Sequence, residues 1–520
     1  MYNTVISVKH FANDVYDSLR NDAKSEYLVD YSLDKPIRIN KFQMLVMASA
    51  LAKRLKKETC ERIGIAIPSS GIGMIANIAV VLANKIPVNM NFSLSSEINQ
   101  HCIQLSGTRC ILTVSKMREK FGDFPWENAI NIDTLLKSYK ANKLLCLKYA
   151  FIHSLPKNIS KYLLNIPQYA TNEELALLFT SGSSGKPKGV MLSHDNIRSN
   201  IKGISQIHEF PEHSKILANL PLFHSFGFTI TMWFSILNNI KIVTVPSPLE
   251  INKTLLAIEN ESVTVLLGTP TFLRGYLKKG SSRKLNSLEY VIAGAEKSKL
   301  EFISHWENIA SCVYLEGYGL TEASPVISIN SPKYKVKHGS VGRLLPDIFV
   351  KTISPETGEP LKRLDAGLLC FRGPNIFGGY LNDREKTQEV LKDGWLITGD
   401  IGRIDEGGYL HIEGRLSRFS KIGGEMIPHE TIEHEIINLM NWNEEDDIKV
   451  AVTGIPHESK GEQLVVITSS PISLEHISKS LSEKFGNLWT PKIHKLIDKI
   501  PVLASGKLDL VAISEIANED

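Results

Sequence analysis

The sequence predicts a multidomain α/β protein, and three features carry that expectation. The chain has 520 residues, more than one ordinary core organises, so two or more cores are expected. Up to about residue 320, short apolar runs alternate with stretches of helical periodicity, the pattern of a parallel sheet with helices on both faces. From Gly339 the texture changes to brief β segments broken by glycine and proline, such as Gly367–Pro374 and Gly378–Leu381. A small barrel-like β subdomain is expected there.

The elements follow in order. Residues 37–57 place Ile37, Ile39, Phe42, Leu45, Val46, Ala48, Leu51 and Leu55 at helix-like spacing and end in a basic cluster. Arg62–Pro68 reads as a short buried strand, Gly73–Asn84 as a helix and Ile86–Val88 as another strand. The longest apolar run, Ile72–Ala83, contains Asn77 and is too short to span a bilayer, so a buried helix is expected. Further strands are expected at Leu175–Phe179, Val190–Leu192, Val263–Gly268, Tyr290–Ala293 and from Val313, several opening into glycine loops. Loops at the carboxyl ends of parallel strands are where such folds place ligands.

Composition narrows the function classes. Hydrophobic content of 43% and charged content of 22% are those of a soluble globular protein, and a net charge of +3 gives no argument for nucleic acid. The six cysteines form no C-x-x-C pair, which argues against a zinc site or disulfide framework and suits a reducing cytosol. Met1–Lys9 lacks the charged start and apolar core of a signal peptide, so a cytoplasmic location is expected. Residues 134–172 stand apart, with six lysines, no Asp or Glu, and interleaved leucines and aromatics. Such a segment can lie in the headgroup region of an anionic membrane; the alternative is an insert packed on its own sheet with a solvated lysine face.

The most informative stretch is Thr180-Ser181-Gly182-Ser183-Ser184-Gly185-Lys186-Pro187-Lys188-Gly189. Glycines let backbone approach a ligand closely, and successive N–H groups in such a turn make an anion-binding concavity. Three serine hydroxyls, that of Thr180 and two lysines add donors and charge, which suits a polyphosphate. The common P-loop is excluded, because Thr180 stands where it needs glycine and Pro187 where it needs Ser or Thr. A flexible linker of this composition would not be framed by two apolar strands.

This stretch resembles the phosphate-binding signature of the adenylate-forming superfamily: acyl-CoA and acyl-carrier-protein synthetases, luciferases and peptide-synthetase adenylation domains. The resemblance runs from about residue 37 to 515 with the superfamily's motifs in order. It implies a large N-terminal domain, 1–414, of two α/β subdomains plus a β subdomain, and a small mobile α+β domain, 415–520, carrying a catalytic lysine. Residues 415–520 hold 11 Lys and Arg against 17 Asp and Glu, a formal −6, leaving +9 on residues 1–414. Opposite signs favour docking of the two, weakly after screening.

The resemblance also assigns roles. Ser181–Gly185 with Thr180, Lys186 and Lys188 would hold ATP phosphates. Leu220–Gly227 would line the acid pocket, with His224 at its mouth. Gly294, Ala295, Glu296, Gly317, Tyr318 and Gly319 would surround the base, Thr321 would supply a hydroxyl, and Glu322 would hold Mg²⁺. Asp400 would accept from the ribose hydroxyls, and Arg415 closes the G-R pair at the domain boundary. Ser417 stands where the superfamily's hinge usually has Asp or Lys. Lys421, Gly423 and Gly424 lie in the loop that faces the thiol donor. Lys507 would bridge the acid carboxylate and the α-phosphate.

Within the superfamily, Pro221–Gly227, Arg418–Met426 and Leu503–Asp509 look most like bacterial acyl-acyl-carrier-protein synthetases. Some of these are fused behind a lysophospholipid acyltransferase. Its H-x₄-D pair is absent, since none of the 15 histidines has Asp five residues on, so the ligase alone is expected. The implied reaction activates a fatty acid as acyl-AMP and passes it to the pantetheine thiol of acyl carrier protein. The alternatives are a long-chain acyl-CoA ligase and a non-catalytic ATP- or acyl-binding relative.

Overall fold

A computed structural model describes residues 8–170, 173–180, 186–362, 364–422, 425–442, 448–457, 461–502 and 508–519. Among these residues the strands assemble into four sheets. The seven-stranded sheet centres on Arg62–Ile65 and Ile86–Asn89, with Ile111–Thr113, Ala129–Asn131 and Glu174–Thr180 parallel to them. Lys188–Ser193 returns antiparallel to Glu174–Thr180, so the expected strand–loop–strand unit forms. The helix Gly71–Leu82 is almost wholly buried, capped by Ser70, whose Oγ accepts from the Gly73 N–H at 3.1 Å. Asn77 is tolerated inside it because its amide pairs with that of Asn89, at 3.1 and 2.9 Å.

The nine-stranded sheet carries a parallel core of Val313–Gly319, Tyr290–Ala293, Val265–Gly268, Lys215–Ala218, Lys241–Thr244 and Glu26–Asp30. Their carboxyl ends therefore open on one side. Here the helix expected over 37–57 needs correction at its start. Ile37–Asn40 is a strand pairing antiparallel with Glu26–Asp30, and the helix is Lys41–Leu55. Ile37 and Ile39 alternate at strand period, and Asn40 and Gln43 form a capping box that fixes the helix start.

The β subdomain is likewise not barrel-like. Phe349–Ile353, Gly367–Arg372, Trp395–Ile404, Leu391–Lys392 and Leu410–Arg415 form an antiparallel sheet whose pairing does not close among the described residues. Leu369, Phe371, Leu396, Ile404 and Leu410 pack into the main core, so this sheet needs no interior of its own. Arg343–Leu344 and Gly379–Tyr380 instead extend the nine- and seven-stranded sheets.

The last sheet comprises Phe419–Ile422, Glu425–Pro428, Val450–His457, Gly461–Thr468 and Ile493–Leu496. Its two apolar clusters draw only on residues from Ile422 onward. Val450, Val452, Leu464 and Val466 face one, while Ala451, Val465 and Ile467 face the other, the period-two alternation of strands buried on both sides. The strand Leu410–Arg415 leads into this unit, with Arg415 opposite Asp400 in the ladder. A short 3₁₀ turn, Leu416–Arg418, follows. Arg418 is then buried, donating to the Glu433 carboxylate and, at 3.1 Å, to the Val452 carbonyl; Glu433 accepts from the Val452 N–H at 2.6 Å.

Residues 134–170 fold as helices within Ile132–Ala141, Lys143–Ser154 and Lys157–Leu163. They pack on the helices Ala12–Arg20 and Lys41–Leu55, and Ile132–Ala141 also packs against the strand Ile111–Thr113, with Ile132 and Leu136 in the main core. The buried His153 ring lies 3.1 Å from the Tyr16 hydroxyl and 3.2 Å from Ser49 Oγ, and burial lowers its pKa to about 4. Arg20 donates to the Leu155 carbonyl at 3.0 Å and to Ser160 Oγ at 2.8 Å, while Lys161 meets Asp17 at 3.0 Å. No helix among the described residues is long and apolar enough to cross a membrane.

Candidate active site

The carboxyl ends of the parallel strands open on a cleft of about 3220 Å³. Thr180, Lys188, His224, Gly294, Ala295, Glu296, Gly317, Tyr318, Gly319, Thr321, Glu322, Asp400 and Arg415 all line it. From the C-terminal unit, Arg418, His429, Glu430, Glu433, Thr453 and Leu508–Val511 form the opposite wall. Topology explains the gathering. The strands ending at Ala218, Gly268, Ala293 and Gly319 are neighbours in one sheet, so the segments after them meet at one edge.

Tyr318 donates its phenol hydrogen to Asp400 Oδ2 at 2.5 Å, and the Arg415 guanidinium stands 3.6 Å from Oδ1. Burial and the Asp400 charge hold the Tyr318 pKa well above the ordinary phenol value, so it remains a donor. The Asp400 N–H is itself bound by Thr398 Oγ1 at 3.1 Å, and Thr398 is anchored on the Leu369 carbonyl at 3.0 Å. Asp400 thus sits on a braced strand with its carboxylate turned to the cleft.

Glu322 is oriented by a residue that the motifs do not name. The Tyr380 hydroxyl donates to Glu322 Oε1 at 2.8 Å, and burial followed by the Glu322 charge raises the Tyr380 pKa. The Lys188 ammonium stands 5.6 Å from the centre of the Tyr380 ring, and burial lowers its pKa. Thr321 Oγ1 lies 3.2 Å from Ser225 Oγ. These oxygens suit a hard divalent cation. Among the described residues no three His, Cys, Asp or Glu side chains cluster as a metal cage. A cation here would therefore rely on Glu322 together with phosphate oxygens and water, the usual arrangement for Mg²⁺ on a nucleotide.

Two glycine assignments divide. A Cβ on Gly294 would meet only ordinary contacts, 3.6 Å from the Gly317 carbonyl and the Phe226 ring, so its openness leaves room for a ligand. A Cβ on Gly319 would come 2.1 Å from the Pro325 carbonyl, so glycine there serves the chain's own turn. Ala295 adopts φ +70°, and Glu296 Oε2 accepts from the Thr271 N–H and hydroxyl at 3.1 and 2.7 Å. That carboxylate caps the helix Pro270–Lys279.

His224 is exposed on the cleft wall, 4.7 Å from the Phe223 ring. Phe223 meets Phe92 edge-on at 5.6 Å, and Phe92 meets Phe121 at 5.0 Å. Together with Ile72, Val114 and Met117 they make an apolar wall between the two large sheets. Immediately after this segment, Phe226–Phe234 forms a π-helix, a form that recurs at functional sites.

Other expected residues stand elsewhere. Lys186 is exposed and is not on the cleft wall. Lys421 is exposed, its ammonium 2.8 Å from the Glu356 carboxylate of the β subdomain. Ser181, Gly182, Ser183, Ser184, Gly185, Gly423, Gly424 and Lys507 lie outside the described residues.

Glu316 lines the cleft without having been signalled by any motif. It is buried, accepts from the Gly339 N–H at 3.1 Å, and burial raises its pKa to about 7. The folded chain then binds a proton that the unfolded chain releases from about pH 4.5 upward. This contribution is fully present below that pH and is lost as pH rises through about 7, by at most ~3 kcal/mol. Glu316→Gln is expected to remove this part of the slope. Thermal unfolding of both proteins between pH 4.5 and 8 checks it, and parallel profiles would refute it.

A family model described as AMP-binding enzyme matches residues 25–381. The long-chain-fatty-acid–CoA ligase of Bacillus subtilis is 31% identical over 375 residues, covering 69% of this chain and 66% of its own length. The long-chain-fatty-acid–CoA ligase of Haemophilus influenzae is 26% identical over 518 residues, covering 91% of each chain. Among solved structures, ATP-bound MatB from Rhodopseudomonas palustris superposes with a TM-score of 0.80 at 22% identity, over 98% of this chain and 99% of that one. The Bacillus subtilis O-succinylbenzoate coenzyme A synthetase, in complex with ATP and magnesium ion, gives 0.77 at 22% identity, over 95% and 98%. Likeness at that identity establishes the fold.

Proposed function

The chain belongs to the AMP-binding enzyme family of the adenylate-forming superfamily, and from that premise we propose that it is an ATP-dependent acid–thiol ligase for a long-chain fatty acid. The observation that carries the proposal is the single cleft that joins braced Asp400, Tyr380-oriented Glu322, Lys188 and the apolar wall beside His224. In the first step a fatty carboxylate oxygen attacks the ATP α-phosphorus and pyrophosphate leaves. In the second a thiol sulfur attacks the acyl carbon and AMP leaves. Asp400 would take the ribose hydroxyls, and Lys188 with Thr180 would face the phosphates. Glu322, oriented by Tyr380, would hold Mg²⁺, which would neutralise phosphate charge. The Phe223–Phe92–Phe121 wall would take the acyl chain, with positioning contributing more than acid–base chemistry.

Coenzyme A is the better supported thiol donor, because the curated relatives that match the chain are CoA ligases. The local stretches around Arg418 and Leu503 favour a second reading, transfer to holo-acyl carrier protein. Two residues behind that reading have structural explanations. Arg418 is buried against Glu433, so it is not presented for docking an acidic partner, and Lys421 is exposed but already paired with Glu356. The deciding assay supplies palmitate, ATP and Mg²⁺ with either donor. Palmitoyl-CoA is expected, with AMP and pyrophosphate. Acyl-carrier protein alone would promote the second reading, and no pyrophosphate with any fatty acid would sink the ligase proposal.

A further inference from the structure

The helices Lys143–Ser154 and Lys157–Leu163 turn apolar side chains outward. Of the nineteen exposed large hydrophobic side chains among the described residues, seven fall between Leu144 and Tyr169. Leu144, Leu147 and Phe151 are 80%, 65% and 66% exposed, and positions i, i+3 and i+7 make them one stripe along one helix face. The opposite face of the same helix is the buried one, carrying Tyr149, Ile152 and His153. Ile159, Tyr162 and Leu163 are exposed apolar side chains on the next helix. An outward stripe on a helix so firmly seated is not a core face left over. Patches of this kind mark interaction sites.

Charge selects the occupant. Lys143 and Lys148 are exposed and flank the stripe, and residues 134–170 contain no Asp or Glu. Lys157 and Lys161 face Asp17 instead and do not contribute in the same way. An apolar stripe bordered by uncompensated ammonium groups fits a surface with anionic heads and an apolar interior. We propose that this face docks the protein on an anionic lipid bilayer. The preceding helix, Ile132–Ala141, places Asp133, Thr134 and Lys137 on the wall of the cleft, so the docked face lies one helix away from the candidate acid site. Uptake of membrane-held fatty acid by this route rests on the ligase reading; docking itself does not.

The test is flotation with vesicles of phosphatidylcholine alone or mixed with phosphatidylglycerol, at low and high salt. Binding is expected only with phosphatidylglycerol and weakened by salt. The triple variant Leu144→Gln, Leu147→Gln, Phe151→Gln is expected to lose at least ~10-fold in partitioning. Its thermal unfolding should be unchanged, because all three side chains face solvent. Lys143→Glu with Lys148→Glu is expected to lower binding to phosphatidylglycerol vesicles as well. Equal behaviour in both lipids, an unaffected triple variant, or binding of an acidic carrier protein to this face with no vesicle binding would each overturn the proposal. Turnover separates the two readings. With palmitate supplied in phosphatidylglycerol vesicles the triple variant should slow at least ~10-fold, but not with dissolved octanoate. Vesicle binding by a protein inactive on every acid would leave docking standing and remove the ligase reading.

Discussion

Lys507→Ala is expected to lose fatty-acid-dependent adenylate formation by at least ~10²-fold, while still transferring the acyl group from preformed acyl-AMP. The residue itself lies outside the described residues. Val502 and Leu508 form a bridge, and Leu508, Asp509, Leu510 and Val511 line the cleft. Asp509 accepts from the N–H groups of Val511 and Ala512, both at 3.2 Å, capping the helix Leu510–Asn518. The chain next to Lys507 is thus fixed against the candidate site. An ammonium between an attacking carboxylate and a phosphate, at ~4 Å and an effective dielectric near 20, gains of order 4 kcal/mol per contact before desolvation. Half of that is already more than a tenfold rate effect. Single-turnover measurement of each half-reaction decides. A solvated surface lysine would leave both rates intact, a general structural support would lower both, and only selective loss of the first keeps the proposed role.

Arg418→Ala is expected to destabilise the C-terminal unit by ~3–5 kcal/mol, because it strands the Glu433 carboxylate in the interior. Burial already works against that charge, and Arg418 and the Val452 N–H are what oppose the penalty. Replacing both partners, Arg418→Met with Glu433→Leu, should recover part of the loss. The recovery is partial because the Val452 N–H then lacks its acceptor. Denaturant unfolding with amide exchange in Val450–His457 measures it. A single variant costing less than ~1 kcal/mol would show that the pair is dispensable.

Much of this was legible in the sequence, for a physical reason. Loops after apolar strands announce themselves by glycine and hydroxyl content, and the parallel topology then brings Gly294, Gly317, Thr321 and His224 together. Ile37 and Ile39 belong to a strand although they fit helical spacing, because an alternating pair just before a helix satisfies both periods. What remained hidden depends on contacts between distant segments. Tyr380 reaches Glu322 only because Gly379–Tyr380 joins the sheet beside Lys188–Ser193. Lys421 turns to Glu356, a partner that no local pattern names. Glu316 has an unusual proton affinity because the fold buries it, which spacing does not encode.

The join between the two units has a consequence of its own. Arg415 is held in a ladder opposite Asp400, and Arg418 is locked beneath the C-terminal sheet, so only Leu416 and Ser417 stand between fixed points. Two residues have four soft dihedrals. A turn of one unit on the other would be taken up largely by those four angles. A long glycine-rich tether would let the small unit wander and search for its seat. We propose that this joint works instead as a swivel, bringing the residues beside Lys507 back to the cleft.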